Sequence, residues 1–239
     1  MILAFEGLLA GAAHVLTGPD HLVGVAPLAV EEAAREAAQA GSAPKSKPAR
    51  IQPWLVGATW GIGHGLGVAI IGVLAQTLFS IAEVEVASGW AEKLVGVLLI
   101  GIGLLGIRRS RSLVIHEHRH EHDGSEHVHL HTHDHDHGHR QHGDKQQHRH
   151  AAFGIGVVHG LAGAGHFWAV LPSLAMARAD AAVYIASYVV ASIVLMTAFG
   201  AALGSITRRM GTAWMPRFFA AVGALTVGVG AWWLTSNLI

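Results

Sequence analysis

Six apolar stretches of membrane-spanning length, at roughly residues 2–30, 53–80, 91–107, 152–177, 181–206 and 215–236, leave this chain little choice of fold. A hydrocarbon core about 30 Å thick is crossed by about 20 apolar residues in a helix. Inside lipid every backbone N–H and C=O must be paired within the chain. Only 13% of the 239 residues are charged and 51% are hydrophobic, where a soluble domain carries about 25% charged residues. The expected fold is all-α and integral to a membrane, with six transmembrane helices and the lipid bilayer as a partner. The N-terminus has no basic segment ahead of its apolar run, so it reads as a retained helix rather than a signal peptide.

The charges sort by connection. The 31–52, 108–150 and 207–217 segments hold fourteen of the sixteen Lys and Arg residues; the other side has only Lys93 and Arg178. Basic loops stay on the cytoplasmic side. That predicts a multi-pass protein of the inner (plasma) membrane with both termini outside. Trp54, Trp90, Trp232 and Trp233 read as interfacial anchors.

Ionisable residues recur inside the apolar runs in a duplicated pattern. A shift of 145 residues lays Gly11, His14, Leu16, Gly18, His21, Val25 and Pro27 on Gly156, His159, Leu161, Gly163, His166, Val170 and Pro172. A second match, Val95–Gly103 on Val222–Gly230, has a shift of 127. The polar insertion near 31–52 accounts for the difference. At the second shift His64 falls opposite Ala191. Three spans per half is an odd number, so the two three-helix repeats must be inverted, an arrangement common in transporters. The domains are then repeat 1 (residues 1–110), a histidine-rich loop (111–150) and repeat 2 (151–239).

Charged and imidazole groups are costly in hydrocarbon and are functional by default. His14 and His21 are seven residues apart, about 10 Å along a continuous helix, too far to share an ion with metal–nitrogen bonds of about 2 Å. The intervening Gly18-Pro19 predicts a break, because proline cannot donate to the carbonyl four residues back and glycine permits an unusual turn. The break folds His14 towards Asp20 and His21; Gly163 and Gly165 can do the same for His159 and His166. His64, in Gly61-Ile-Gly63-His64-Gly65-Leu-Gly67, reads as a ligand or pathway lining, with the glycines permitting close helix approach. Competing readings are that Asp20 caps the second half-helix and that the histidines bridge helices. The expected metal site is His14, Asp20, His21, His64, His159 and His166. Imidazole and carboxylate without sulfur suit Ni²⁺, Co²⁺ or Zn²⁺ and argue against Cu⁺. Cysteine is absent, which excludes disulfides, thiolate sites and iron–sulfur clusters.

Residues 116–150 hold fourteen histidines and seven carboxylates. The tract has no apolar face to bury, so disorder is expected, with auxiliary metal binding at His127, His129, His131, His133, His135, His137 and His139. Its cytoplasmic placement suits buffering of imported metal, hand-over to a cytoplasmic metallochaperone or collection of metal for export. Nothing points to a nucleic-acid partner or to an enzyme.

With its six-span plan and histidine-rich loop, the His14…Asp20-His21 motif resembles the nickel/cobalt transporter superfamily, in its UreH-like, urease-accessory membrane branch. That family's signature is His-x4-Asp-His; here five residues separate His14 from Asp20. The resemblance implies transmembrane transport of Ni²⁺ or Co²⁺ through the intramembrane site. A nickel-sequestering urease-type accessory protein and a zinc or other divalent metal transporter are the alternatives. A histidine-box metalloenzyme ranks last, because only five histidines lie outside the loop.

Overall fold

The computed structural model describes residues 1–40, 52–77, 81–112, 115–122, 125–132, 144–162, 171–210 and 214–236. Helices α1 (Ile2–Thr17), α2 (Pro19–Ala40), α3 (Pro53–Thr77) and α4 (Ile81–Ser112) are followed by a hairpin of β1 (Ile115–His122) and β2 (Ser125–Thr132). Then come α5 (Asp144–Leu161), α6 (Arg178–Arg209) and α7 (Met215–Ser236), with a short helical segment at 171–174.

Four helices carry stretches long and apolar enough to cross a bilayer: Pro53–Ala75, Gly89–Arg111, Arg178–Arg209 and Met215–Ser236. The pair Ile2–Thr17 and Pro19–Ala34 forms one further, broken span bent by 70°. The chain is therefore a multi-pass, helical membrane protein. Its exposed apolar side chains, among them Phe5, Leu9, Val73, Leu105, Val194 and Leu225, need no covering protein, because lipid tails accept them.

The bend falls where Gly18-Pro19 predicts it, for a slightly different reason. Gly18 is extended, at φ −88° and ψ 98°, a conformation open to any residue. A side chain there would instead run into the imidazole of His21 and the carboxylate of Asp20. Pro19 opens α2, where its missing N–H costs nothing. The Gly18 N–H still closes α1 on the His14 carbonyl at 3.0 Å.

Small residues draw the helices together. α4 packs along α7, and α3 packs against both α5 and α6, while α1 lies on α6. The close approach of α5 to α3 puts the Trp60 carbonyl against Gly156 and the His64 carbonyl against Gly160. Any Cβ at either glycine would push the two backbones apart. At one end of the bundle α2 is tied to both neighbours. Arg109 on α4 donates to Glu31, and Arg208 on α6 donates to Glu36 at 3.1 Å. The basic ends of α4 and α6 thus meet the acidic end of α2 on the same side.

The histidine-rich tract is paired where it is described, although its sequence predicts disorder. β1 and β2 run antiparallel, with His116 opposite His131, His118 opposite His129 and His120 opposite His127. Strand pairing needs opposed backbone groups, not an apolar face. His133, His135, His137 and His139 lie outside the described residues.

Candidate metal centre

The break at Gly18 turns the start of α2 back against the end of α1, so His14, Asp20 and His21 converge. The His14 and His21 rings stand edge to face with centroids 4.3 Å apart. His64 arrives from α3, 5.0 Å from His21 and 5.6 Å from His14. His159 arrives from the end of α5, 4.5 Å from His21. Asp20, His21, His64 and His159 are all buried.

Asp20 is the electrostatic centre. One oxygen, Oδ2, lies 2.9 Å from His159 Nε2, and the other, Oδ1, lies 3.3 Å from His21 Nδ1. Asp20 does occupy the first turn of α2, where a carboxylate is favoured. That placement and its contacts with two imidazoles are compatible.

The donor atoms form two triads sharing His21. His14, His21 and His64 make one; Asp20, His21 and His159 make the other. Within each, one ligand atom per residue lies within 4.8 Å of the rest. Donors around an ion bound at about 2.1 Å sit roughly 3–4 Å apart, so side-chain shifts of about an ångström would close either triad. The set is imidazole and carboxylate only, suited to a borderline divalent ion.

Five of the six predicted intramembrane residues therefore meet in one place, drawn from four helices. His166 lies outside the described residues. Two neighbours were missed from the sequence. Tyr188 on α6 is buried with its ring 5.5 Å from His14. Trp60 on α3 is buried with its ring 5.9 Å from His159. The available signals were that Trp60 sits one turn before His64 and that Tyr188 is one of only two tyrosines. The two aromatics make similar backbone contacts. The Tyr188 carbonyl lies against Gly11 as the Trp60 carbonyl lies against Gly156.

Residues 37–232 match the family described as cytochrome C biogenesis protein transmembrane region. Two proteins of Arabidopsis thaliana are similar. Chloroplast protein FOR GROWTH AND FERTILITY 1 is 29% identical over 208 residues, covering 87% of this chain and 51% of the relative. Chloroplast protein FOR GROWTH AND FERTILITY 2 is 27% identical over 208 residues, covering 87% and 48%. The chain spans about half the length of these curated relatives. No solved structure matches it.

These matches overturn the resemblance to nickel/cobalt transporters. Transport of Ni²⁺ or Co²⁺ falls with it, as do the urease-accessory and zinc-transporter alternatives. The resemblance rested on His14–His21, a motif one residue longer than the signature and lying wholly ahead of the matched span. It rested also on a six-span plan that the physics of lipid permits in many bundles and on a histidine-rich loop. Matched along most of its length by its helical body, the chain belongs to the cytochrome c biogenesis protein transmembrane-region family.

Proposed function

We propose that this chain is a membrane-embedded metal-binding protein whose buried cluster of His14, Asp20, His21, His64 and His159 holds a divalent transition-metal ion. The observation that carries the reading is the convergence of four imidazoles and one carboxylate from four helices inside a largely apolar bundle. Ionisable groups so placed are costly unless paired or coordinating. Imidazole and carboxylate donors fit Ni²⁺, Co²⁺ or Zn²⁺ as a resident ion.

The family's name assigns its members to cytochrome c biogenesis. This chain has no cysteine and thiol–disulfide exchange needs a thiolate, so these residues supply no thiol to such a role. The histidine-rich tract serves as an auxiliary, weaker binding segment next to the bundle, within reach of a soluble metallochaperone. The reading keeps six spans in two inverted repeats. In support, α1 on α6 mirrors α5 on α3, and α4 packs on α7. It also keeps the basic ends, with the histidine-rich tract, on the cytoplasmic side, and both termini outside.

The test is metal content. Purified full-length protein in detergent, loaded with Zn²⁺, Co²⁺ or Ni²⁺ and washed, is compared by mass spectrometry with H14A/H21A and H64A/H159A variants. The expected result is about one ion fewer per chain in each double variant, with helical circular dichroism retained. Equal content in wild type and folded variants would remove the metal reading and leave the cluster as a polar helix-bridging network.

A further inference from the structure

Two aromatic residues border the cluster, and each brings a polar tip that the protein does not satisfy. Tyr188 is 1% exposed and Trp60 is 0% exposed. Among the described residues, neither the Tyr188 hydroxyl nor the Trp60 indole N–H has a hydrogen-bond partner. Tyr188 backs His14 and Trp60 backs His159. The two occupy matching places, each with its carbonyl against a glycine of the helix that supplies the adjacent histidine.

Buried polar atoms are nearly always paired, with protein or with ordered water. Phenylalanine would fill either place without leaving a donor stranded in hydrocarbon. An indole N–H can only donate, so its missing partner is an acceptor. Each metal-binding triad offers three donor atoms. Sites with three protein ligands keep an open position that solvent fills, and a buried water is stable when it has two to four polar partners.

We propose that the ion held by this cluster keeps a solvent-derived oxygen ligand, water or hydroxide, and that the Tyr188 hydroxyl and the Trp60 indole N–H hold that oxygen in place. This rests on the metal-binding reading of the same site. The ion supplies one partner of the oxygen, the tyrosine a second and the tryptophan a third. A small oxyanion from the medium would present the same chemistry, so the source of the oxygen is part of the test.

The test loads full-length protein with Cu²⁺ as a spectroscopic probe in H₂¹⁷O and records pulsed paramagnetic resonance. The H14A/H21A variant, treated identically, is subtracted so that only the buried site remains. The expected result is a ¹⁷O coupling in the difference signal that is unchanged by dialysis into anion-free buffer. The coupling per bound ion should fall at least twofold in Y188F and in W60F. Copper in the difference signal without ¹⁷O coupling would overturn the inference while leaving the metal site standing. A coupling abolished by removing anions would assign the oxygen to an oxyanion and overturn the solvent source. A coupling untouched in folded Y188F and W60F would remove the two aromatics from the role. No copper difference between wild type and H14A/H21A would end both readings.

Discussion

His159 and Asp20 meet at 2.9 Å across the bundle, although one ends α5 and the other opens α2. This contact joins α2 to α5 at the cluster, and among the described residues Asp20 is the carboxylate of the two triads. Asp20→Asn keeps the shape and removes the charge. A metal ligand lost from such a set weakens binding by about 10–100-fold or more, the range already seen for outer-shell partners. Calorimetric titration of the loaded site should show that loss. Affinity within twofold of wild type would show that the carboxylate is no ligand.

Gly18→Ala tests why glycine occupies the break. An added Cβ meets the His21 ring and the Asp20 carboxylate, so one of them must move. We expect a loss of about 1–3 kcal/mol, the usual cost of overpacking, together with weaker metal binding. Gly101→Ala is the control: nothing lies within 4 Å of a Cβ there, and its effect should stay within about 0.5 kcal/mol. Denaturation in detergent would read both, and equal effects would contradict the packing account.

Gly160→Val should separate α3 from α5 at the His64 carbonyl and pull His64 and His159 apart. Their ring centroids are 5.7 Å apart, so a backbone shift of an ångström is felt directly. Metal content should drop by at least one ion per chain while helix content persists. Unchanged content would mean that the α3–α5 contact does not set the ligand geometry.

The ion pairs at the far end of α2 should matter little. Arg109 and Arg208 are 42% and 45% exposed against carboxylates of 13% and 19%, and exposed pairs contribute about 0–1 kcal/mol. Glu31→Gln and Glu36→Gln should each cost less than about 1 kcal/mol, less still at high salt, with metal content unchanged. A larger, salt-independent loss would show these pairs to be anchors of α2.

Serine in place of the loop histidines 116 to 142 should lower total bound metal, yet keep the difference between wild type and the H14A/H21A variant. If that difference disappears with the loop, the buried cluster holds no ion of its own.

The apolar runs were legible because lipid permits few backbone solutions, and the break was legible because proline at position 19 cannot continue α1. His14, Asp20, His21 and His159 stood out because ionisable groups are costly inside apolar runs. His64 could be suspected from its glycines, but its distance from His21 could not, since it depends on how closely α3 approaches. Trp60 and Tyr188 were hidden among other aromatics in apolar runs, where ring and lipid anchor look alike. The family was misjudged from an eight-residue motif, a six-span plan and a histidine-rich loop, features that unrelated membrane proteins can share.

By itself the sequence determined a helical membrane protein, the bend at Gly18-Pro19 and a surplus of imidazole at that depth, all consequences of local backbone chemistry and hydropathy. Only the tertiary structure decided that Asp20 faces His159, that His21 belongs to two triads, and that Tyr188 and Trp60 border the cluster. Those depend on contacts between helices far apart in the chain, set by which small residues let two backbones close.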